Sequence, residues 1–399
     1  MRVLVVDHTA QEGGAESALL RVVERIGDAD LTVRALLFED GPFRERLVAA
    51  QIATAVLNLD STTNRTARDR VLNPVVAFRT AVATVGFVPR LARTIRGSRC
   101  DLVVANSLKS AVLVSLAAPL AGRRWVWHLH DRLAADYLPG ALVRLMRLLA
   151  LVGPRRIVVN SEATLITLPA AAGRKAAIAY PGLRPEAFER SQAEIDSPVV
   201  TIIGRISPTK GQREFLDAAG MLAASWPDVH FQIVGAALFA EQEYADALPQ
   251  LAEHRGLDGR VTFTGWVSDP GARLRASTVL VHASPVPEPF GQVVAEAMAA
   301  GIPVVATDAG GVREMLAPGG GADAPSPAVR TTGLGVLVRS GDAAALAAGI
   351  ALVLQDPEAA ASRARAAHEA AAARFRIEDT VTVVRDTWLT AAARRRPTR

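Results

Sequence analysis

The sequence predicts an α/β protein made of two doubly wound parallel sheets, and three observations carry this prediction. The chain has 399 residues, 50% of them apolar and 21% charged, which suffices for two cores because a domain usually takes about 100–200 residues. Short β-branched runs alternate with Ala- and Leu-rich amphipathic stretches, the pattern of strand–helix units around a buried parallel sheet. After a polar interruption, the same pattern starts again.

The first series of strands begins at the N-terminus, where Asp7 comes too early for the apolar segment of a secretory signal. Its predicted strands are 2–6, 32–38, 101–106, 124–130, 156–160 and 177–180. The polar segment 191–198 is the predicted linker. The second series is 199–204, 229–235, 261–265, 278–283, 303–307 and 333–338. Ligands bind at the carboxyl ends of strands in such sheets, so we expect two domains, 1–190 and 197–376, facing a central cleft.

Two segments of the second half interrupt this pattern. The Gly/Pro/Ala-rich stretch 317–332 is predicted to be a flexible loop that adds nothing to a core. The C-terminal stretch 377–396 combines helical apolar spacing with a basic tail, and we expect this helix to cross back and pack on the first domain.

The composition excludes several classes of protein. The single cysteine, Cys100, removes any disulfide framework and any cysteine-built metal site, and this usage is typical of a reducing cytoplasm. Apolar runs such as 110–122 are shorter than the roughly 20 residues of a spanning helix. The basic residues are dispersed and aromatic residues are only 5% of the chain, which argues against a nucleic-acid partner.

The net charge of +5 hides an asymmetry between the two halves. Residues 1–185 hold 25 basic and 15 acidic residues, a net charge of +10, whereas residues 186–399 hold 20 and 25, a net charge of −5. A basic half indicates an anionic partner, either acidic lipid or a phosphorylated small molecule. The alternative is a solvated surface rich in arginine, since 42 of the 45 basic residues are Arg.

The stretch 285–314 is the most informative for chemistry. Pro289 and Gly291 suggest a helix start whose first backbone N–H groups point outward, an arrangement that attracts phosphate or sugar oxygens. Glu288 would precede this helix and Glu296 would lie inside it, so both carboxylates would accept hydrogen bonds from sugar hydroxyls. The alternative is that Glu296 is a surface residue and Glu288 a solvated cap.

Two further clusters follow the first strand of each predicted domain. Arg205 and Lys210, after 199–204, would place two cations over a diphosphate, and Lys210 is one of only three lysines in the chain. Gly13 and Gly14, after 2–6, would let the backbone approach an anion closely. Glycine-rich turns are common in doubly wound folds, so this second signal is weak by itself.

A histidine pair closes the set of candidates. Period-2 alternation places His128 and His130 on one face of strand 124–130. His130 lies at the carboxyl end, beside Asp131, which would orient its ring or contact the ligand, whereas His128 is expected to be structural. The seven histidines are scattered, so no metal site is expected.

Together these clusters resemble the retaining GT-B glycosyltransferases of glycosyltransferase family 4, also called glycosyl transferases group 1. The resemblance covers nearly the whole chain and rests on E-P-F-G-x-x-x-x-E at 288–296, on E-A-M-A-A-G-x-P-V-V at 296–305, on G-G-x-x-E at 310–314 and on G-R-x-x-x-x-K-G at 204–211. It implies the GT-B fold, in which two Rossmann-like domains face a cleft. The implied partners are a nucleotide-diphosphate sugar as donor and an acceptor with a hydroxyl group.

The resemblance also implies roles for the candidate residues. Arg205 and Lys210 would neutralise the diphosphate, Glu288 would bind donor hydroxyls, and His130 would sit at the far edge of the sugar. The remaining implied contacts with donor or sugar are those of Gly13, Gly14, Asp131, Gly204, Phe290, Gly291, Gln292 and Glu296. Retention of the anomeric configuration is likewise what the resemblance implies. Because no side chain stands out as a nucleophile, front-face attack is favoured, with no cofactor and no metal ion.

Several alternatives stay open from the sequence. A non-hydrolysing epimerase, a sugar phosphorylase and a non-catalytic nucleotide-sugar-binding partner share the fold or the motifs. The acceptor is expected to be a glycan, a lipid-linked molecule or a small molecule. The segments 84–96 and 141–153 are candidates for docking on the anionic inner face of a membrane, although 141–153 is better interpreted as a core helix with Arg144 and Arg147 on one side.

Overall fold

The structure of the protein is a computed structural model. It describes residues 1–27, 30–59, 74–190, 197–238, 241–319 and 327–393. Among the residues so described, no single helix is long and apolar enough to cross a membrane, and one pair of helices, Ala343–Gln355 and Pro357–Arg374, meets that test only when taken together across a 100° bend.

The chain divides into two compact units. Unit 1 comprises Met1–Gly182 and Ile377–Arg399, and unit 2 comprises Leu183–Arg376. The division falls between Gly182 and Leu183, earlier than the boundary at 190–197 predicted from the sequence. The polar composition of 191–198 drew the predicted boundary downstream, and residues 191–196 lie outside the described part of the chain.

Unit 1 contains a seven-stranded sheet in the order β3-β2-β1-β4-β5-β6-β7, with every strand pair parallel. Its elements are β1 Arg2–Asp7, α1 Gly14–Ile26, β2 Thr32–Leu37, α2 Pro42–Ala49, β3 Ala53–Val56, α3 Pro74–Gly97, β4 Leu102–Ala105, α4 Leu108–Leu120, β5 Arg124–Leu129, α5 Gly140–Val152, β6 Arg156–Val159, α6 Glu162–Leu165, α7 Ala170–Gly173, β7 Ala176–Ile178 and, as the last helix of the chain, α15 Ile377–Ala392.

The apolar side chains of this sheet are buried on both faces, as continuous Val/Leu/Ile runs predict. One face packs against α3, α4 and α5, and the other packs against α1, α2 and α15. Trp388 of α15 is fully buried in the second of these layers. Unit 1 is therefore completed by a helix that follows the whole of unit 2 in the chain.

Unit 2 contains a second seven-stranded sheet, in the order β10-β9-β8-β11-β12-β14-β13. Its elements are β8 Val199–Ile203, α8 Gln212–Leu222, β9 His230–Val234, α9 Gln242–His254, β10 Val261–Phe263, α10 Pro270–Arg275, β11 Val279–His282, α11 Gln292–Ala300, β12 Val304–Thr307, α12 Gly310–Leu316, β13 Val329–Thr331, β14 Val336–Val338, α13 Ala343–Gln355 and α14 Pro357–Arg374, with short 3₁₀ turns at Pro185–Phe188 and Pro208–Lys210. Among the strands that the structure describes in unit 2, β13 alone is antiparallel to its neighbour.

Two strands were not predicted. Ala53–Val56 is a half-exposed edge strand, so it lacks the apolar run that marks the central strands. Val329–Thr331 lies inside 317–332, and the prediction that this stretch is wholly a flexible loop is wrong there, because Val329, Arg330 and Thr331 pair with β14. The middle of that stretch, 320–326, is outside the described residues.

Candidate functional site

In unit 2 the carboxyl ends of β8 and β11 bring a lysine, a glutamate and a histidine together. Lys210 Nζ lies 2.7 Å from Glu288 Oε1, and His282 Nε2 lies 3.4 Å from the same oxygen. The Nδ1 atom of His282 is hydrogen-bonded to Thr307 Oγ1 at 3.0 Å. Burial would raise the pKa of Glu288, but Lys210 and His282 outweigh it and lower that pKa. Glu288 is thus an ionised, buried carboxylate and not a solvated cap.

The backbone of Glu288 is held by the glycine pair that opens α12. Gly310 has φ of 59°, and a Cβ atom there would lie 2.1 Å from the carbonyl oxygen of Glu288. The Gly311 N–H donates to that same oxygen at 2.9 Å, and a Cβ atom on Gly311 would lie 2.5 Å from Pro289 O. Both positions need glycine because the two backbones touch, and this explains the glycine pair of the 310–314 motif.

Arg205 follows β8 and faces a carboxylate of its own. Its Nε lies 3.3 Å from Glu241 Oε2, while Glu241 Oε1 accepts a hydrogen bond from Ser207 Oγ at 2.6 Å. The guanidinium remains half-buried, and Gly204 precedes it with φ of 155°. Gly211, the glycine after Lys210, touches Ala283 O so closely that a Cβ atom would lie 2.0 Å away, which ties the lysine turn to the end of β11.

Helix α11 begins at Gln292, three residues after the start predicted at Pro289. Gly291 is its N-cap residue with φ of 96°, so the left-handed turn at glycine, rather than proline, sets the first turn. Phe290 is buried against Phe375, with ring centroids 5.5 Å apart, and it can offer only its backbone to a ligand. Gln292 and Glu296 are half-buried on α11.

In unit 1 the carboxyl ends of β1, β4 and β5 carry a chain of buried hydrogen bonds. Asp7 is fully buried and accepts a hydrogen bond from Asn106 Nδ2 at 2.6 Å. The Oδ1 atom of Asn106 lies 3.0 Å from His130 Nε2. Burial would raise the pKa of Asp7, but hydrogen bonds from His8 and Asn106 and the charge of His8 lower it.

This chain fixes the tautomer of His130. An ionised Asp7 can only accept, so it takes the amide N–H of Asn106, and the amide oxygen must then face His130. The His130 Nε2 must in turn carry a proton, and the neutral ring keeps Nδ1 as an acceptor. Burial lowers the pKa of His130, although Asp131 and Asp7 oppose that shift, so the neutral ring is favoured near pH 7.

His128 has a different hydrogen-bond partner from His130. Trp388 Nε1 donates to His128 Nε2 at 3.0 Å, and the two rings stack with centroids 5.7 Å apart. Burial, together with His130, lowers the pKa of His128 to about 3. His128 is a structural residue, as its position inside the strand predicted. Both histidines line a small, mainly apolar pocket of about 30 Å³ with Leu19 and Val384.

The glycine turn of unit 1 leads directly into α1, with Gly13 as N-cap residue and Gly14 as first helical residue. The buried carboxyl of Glu16 folds back onto this turn, because a Cβ atom on Gly13 would lie 2.6 Å from Glu16 Oε2. Burial and the charges of Asp7 and Asp131 raise the pKa of Glu16 to about 8. An anion approaching this helix start would therefore meet a neutral carboxyl group.

Asp131 is buried and accepts a hydrogen bond from Tyr137 Oη at 3.2 Å. Asn106 contacts the ring of His130, a partner that the sequence did not suggest, and the role of Asp131 stays a prediction. Asn106, Asp7, Glu16 and His282 were missed. Asp7, Asn106 and His282 each end or follow a strand, so the polar residue at the carboxyl end of every strand was the available signal.

Within the described ranges, no three His, Cys, Asp or Glu side chains form a group that would hold a metal ion. The structure brings Lys210 and Glu288 into direct contact and places Arg205 after the same strand as Lys210. In unit 1 it places Gly13 and Gly14 after β1 and His130 and Asp131 after β5. What each of these residues binds stays a prediction.

Two Rossmann-like sheets with these strand orders and these glycine-rich turns define a GT-B protein. Residues 13–186 match the model of the glycosyl transferase 4-like domain, and residues 184–370 match the model of glycosyl transferases group 1. The chain belongs to this family of GT-B glycosyltransferases.

The solved structure of HepE from Anabaena in complex with UDP-glucose is 28% identical to the chain, with a TM-score of 0.81, and the match covers 98% of this chain and 100% of that one. The lipopolysaccharide core biosynthesis glycosyltransferase LpsE of Rhizobium meliloti is 32% identical over 45% of this chain and 46% of its own length. A D-inositol 3-phosphate glycosyltransferase of Mycolicibacterium paratuberculosis is 32% identical over 54% and 48%. The chain thus spans about half the length of these curated relatives.

Proposed function

We propose that the protein is a retaining hexosyltransferase that uses a nucleotide-diphosphate sugar, with UDP-glucose as the first donor to test. The observation that carries the proposal is the Lys210–Glu288 pair, 2.7 Å long, in which Glu288 is buried and Lys210 half-buried at the carboxyl ends of β8 and β11, with Arg205 also following β8. The similarity to HepE, whose crystals hold UDP-glucose, supports the choice of donor.

In the proposed reaction the bond between the sugar C1 and the diphosphate oxygen breaks. The acceptor oxygen forms its bond to C1 from the same face, and its proton passes to the departing phosphate, which leaves as the nucleoside diphosphate. Lys210 and Arg205 would stabilise the negative charge that develops on the phosphate. Two fixed cations and the first N–H groups of α11 would do this without a divalent ion, and we expect activity to survive a chelator.

The ionised Glu288 would accept hydrogen bonds from donor hydroxyls, and Glu296 would accept those of the ribose. Gly204, Phe290, Gly291 and Gln292 would contribute backbone or amide contacts to the donor. In unit 1, His130 would offer Nδ1 as an acceptor to a sugar hydroxyl. Gly13, Gly14 and Asp131 would contact phosphate or acceptor, with Glu16 neutral at the same turn.

The acceptor, in this proposal, is anionic or lipid-linked, because unit 1 is the basic unit. Counted over its own residues, unit 1 holds 29 basic and 18 acidic residues, and unit 2 holds 16 and 22. Cys100, which is buried and free, is in keeping with a cytoplasmic location at the inner face of a membrane.

Transfer and hydrolysis assays with UDP- and GDP-sugars test the proposal, with thermal shift to rank the donors. Lys210→Ala should lower turnover about 10²–10³-fold, because it removes one charge that stabilises the leaving group. Lys175→Ala is the matched control, since Lys175 Nζ donates only to the carbonyls of Leu151 and Pro154 in the contacts described. Unchanged turnover of Lys210→Ala would refute the site, and donor binding without any turnover would favour a non-catalytic sugar-nucleotide-binding protein.

A further inference from the structure

Helix α5 of unit 1 exposes a row of large apolar side chains. Leu145, Leu148, Leu151 and Val152 are 53%, 57%, 39% and 75% exposed. They are four of the twelve exposed large apolar side chains of the described residues. Helix α5 packs Val143, Met146 and Ala150 into the core, as expected of a core helix, and it exposes these four residues on its other face.

The exposed residues form one continuous face of α5. At 3.6 residues per turn, Leu145, Leu148 and Val152 follow one another along the centre and one side of this face. Arg144 and Arg147 lie along its other side, around Leu151, and both are exposed. Helix α3 differs from α5. Its apolar residues Leu91 and Ile95 are buried, and its arginines Arg90, Arg93 and Arg96 face solvent.

The sequence that contains α5 carries charge of a single sign. No Asp or Glu occurs between Asp136 and Glu162, while Arg144, Arg147, Arg155 and Arg156 all lie in that interval. Leucines interleaved with arginines suit the boundary of an anionic lipid bilayer, where apolar acyl chains lie beneath anionic headgroups. A second copy of the chain is disfavoured, because a symmetric contact would set these arginines against each other.

We propose that the exposed face of α5, formed by Arg144, Leu145, Arg147, Leu148, Leu151 and Val152, docks unit 1 on an anionic phospholipid surface. The leucines enter the acyl boundary and the arginines contact the phosphates of the headgroups. This face includes none of Lys210, Glu288 and His130, so docking does not depend on the proposed transfer activity. It would instead hold the enzyme where a lipid-linked acceptor is presented.

Flotation of the full-length protein with vesicles tests this proposal. Vesicles of phosphatidylcholine with phosphatidylglycerol should carry the protein upward at low salt, and pure phosphatidylcholine should carry much less. Leu145→Ser with Leu148→Ser should lower the partition coefficient at least about tenfold. The two substitutions remove leucine side chains that would be partly buried in the lipid when the protein docks. Arg144→Gln with Arg147→Gln should lower it by a similar factor for the anionic vesicles only.

Leu389→Ser is the matched control, because Leu389 is 43% exposed on α15, which covers the other face of the same sheet. This variant should float like the wild type. All variants change exposed side chains, and circular dichroism with donor-induced thermal shift confirms that fold and donor binding are kept. A wild type that stays in solution with anionic vesicles, or a leucine variant that floats equally well, overturns the proposal. A dimer that the leucine variant dissociates would overturn it in favour of self-association.

Discussion

Each unit holds a buried carboxylate in a segment that follows a strand of its sheet, Glu16 on α1 after β1 and Glu288 after β11, and the two carboxylates are in opposite states. In unit 2, Glu288 contacts Lys210 and His282, and its pKa is lowered. In unit 1, Glu16 lies near Asp7 and Asp131, and burial with these charges raises its pKa to about 8. The net charges of the units are opposite to the charges around these carboxylates, because unit 1 is the basic unit. Net charge therefore says little about a site, and the excess arginines of unit 1 lie elsewhere, including α5.

The contacts that hold the two sites in place differ as well. Glu288 is fixed by local backbone contacts with Gly310 and Gly311. Strand β5, which leads to His130, is supported by Trp388, 260 residues beyond its partner His128. Unit 1 thus depends on the return of the last helix, whereas unit 2 is continuous in the chain.

Among the substitutions that test this comparison, Trp388→Ala should have the largest effect on stability. Loss of the fully buried indole leaves a cavity and removes the hydrogen bond to His128, at a cost of about 3–5 kcal/mol in the free energy of unfolding. Chemical denaturation followed by circular dichroism measures this change. Phe375→Ala, at a fully buried aromatic residue of unit 2, is the control. Equal loss of His130 signals in NMR spectra of both variants would contradict the claim that α15 specifically supports unit 1.

Glu16→Gln and Glu288→Gln should change the pH dependence of stability in opposite directions. An unfolded glutamate titrates near 4.3, so folded Glu16 holds a proton that the unfolded chain releases between that value and about 8. Its contribution is full at low pH and is lost as pH rises through about 8. Glu288, with a lowered pKa, contributes above the unfolded value and loses that contribution as pH falls.

Thermal unfolding between about pH 2 and about pH 9 measures both slopes, because the Glu288 slope lies below the unfolded glutamate value near 4.3. Glu16→Gln should remove a fall of several kcal/mol towards alkaline pH, because each unit of pKa shift corresponds to about 1.36 kcal/mol, and Glu288→Gln should remove a fall towards acid. Parallel shifts in the two variants would show that the carboxylates are not in opposite states, and the contrast between the units would fail.

Asn106→Ala should have the smallest effect, about tenfold in turnover, a size that corresponds to one hydrogen bond of about 1.4 kcal/mol. Without the amide, His130 loses the acceptor that holds the proton on Nε2. Nitrogen-15 NMR of labelled histidine should then show mixed tautomers for His130. Asn160→Ala is the control, because Asn160 donates only to the backbone carbonyl of His130 among the contacts described. An unchanged tautomer in Asn106→Ala would refute the positioning role of Asn106.

The sequence predicted the architecture well where strands are central and continuously apolar. The twelve predicted strands all occur with ends shifted by up to three residues, as 333–338 against Val336–Val338 shows. The edge strands Ala53–Val56 and Val329–Thr331 were not predicted. An edge strand carries no long apolar run, and it forms by pairing with a neighbouring strand that its own local sequence does not identify.

The sequence by itself determined the repeated strand–helix pattern, the positions of Lys210 and Glu288 in specific motifs, and the glycines that those motifs need. These are local features, since backbone conformation and periodicity depend on near neighbours. Only the tertiary structure decided that Asn106 holds His130, that Trp388 covers His128, and that the leucines of α5 face outward. Such contacts follow from strand order and helix packing, which join residues distant in the chain, and local spacing does not record which face of a helix a sheet will cover.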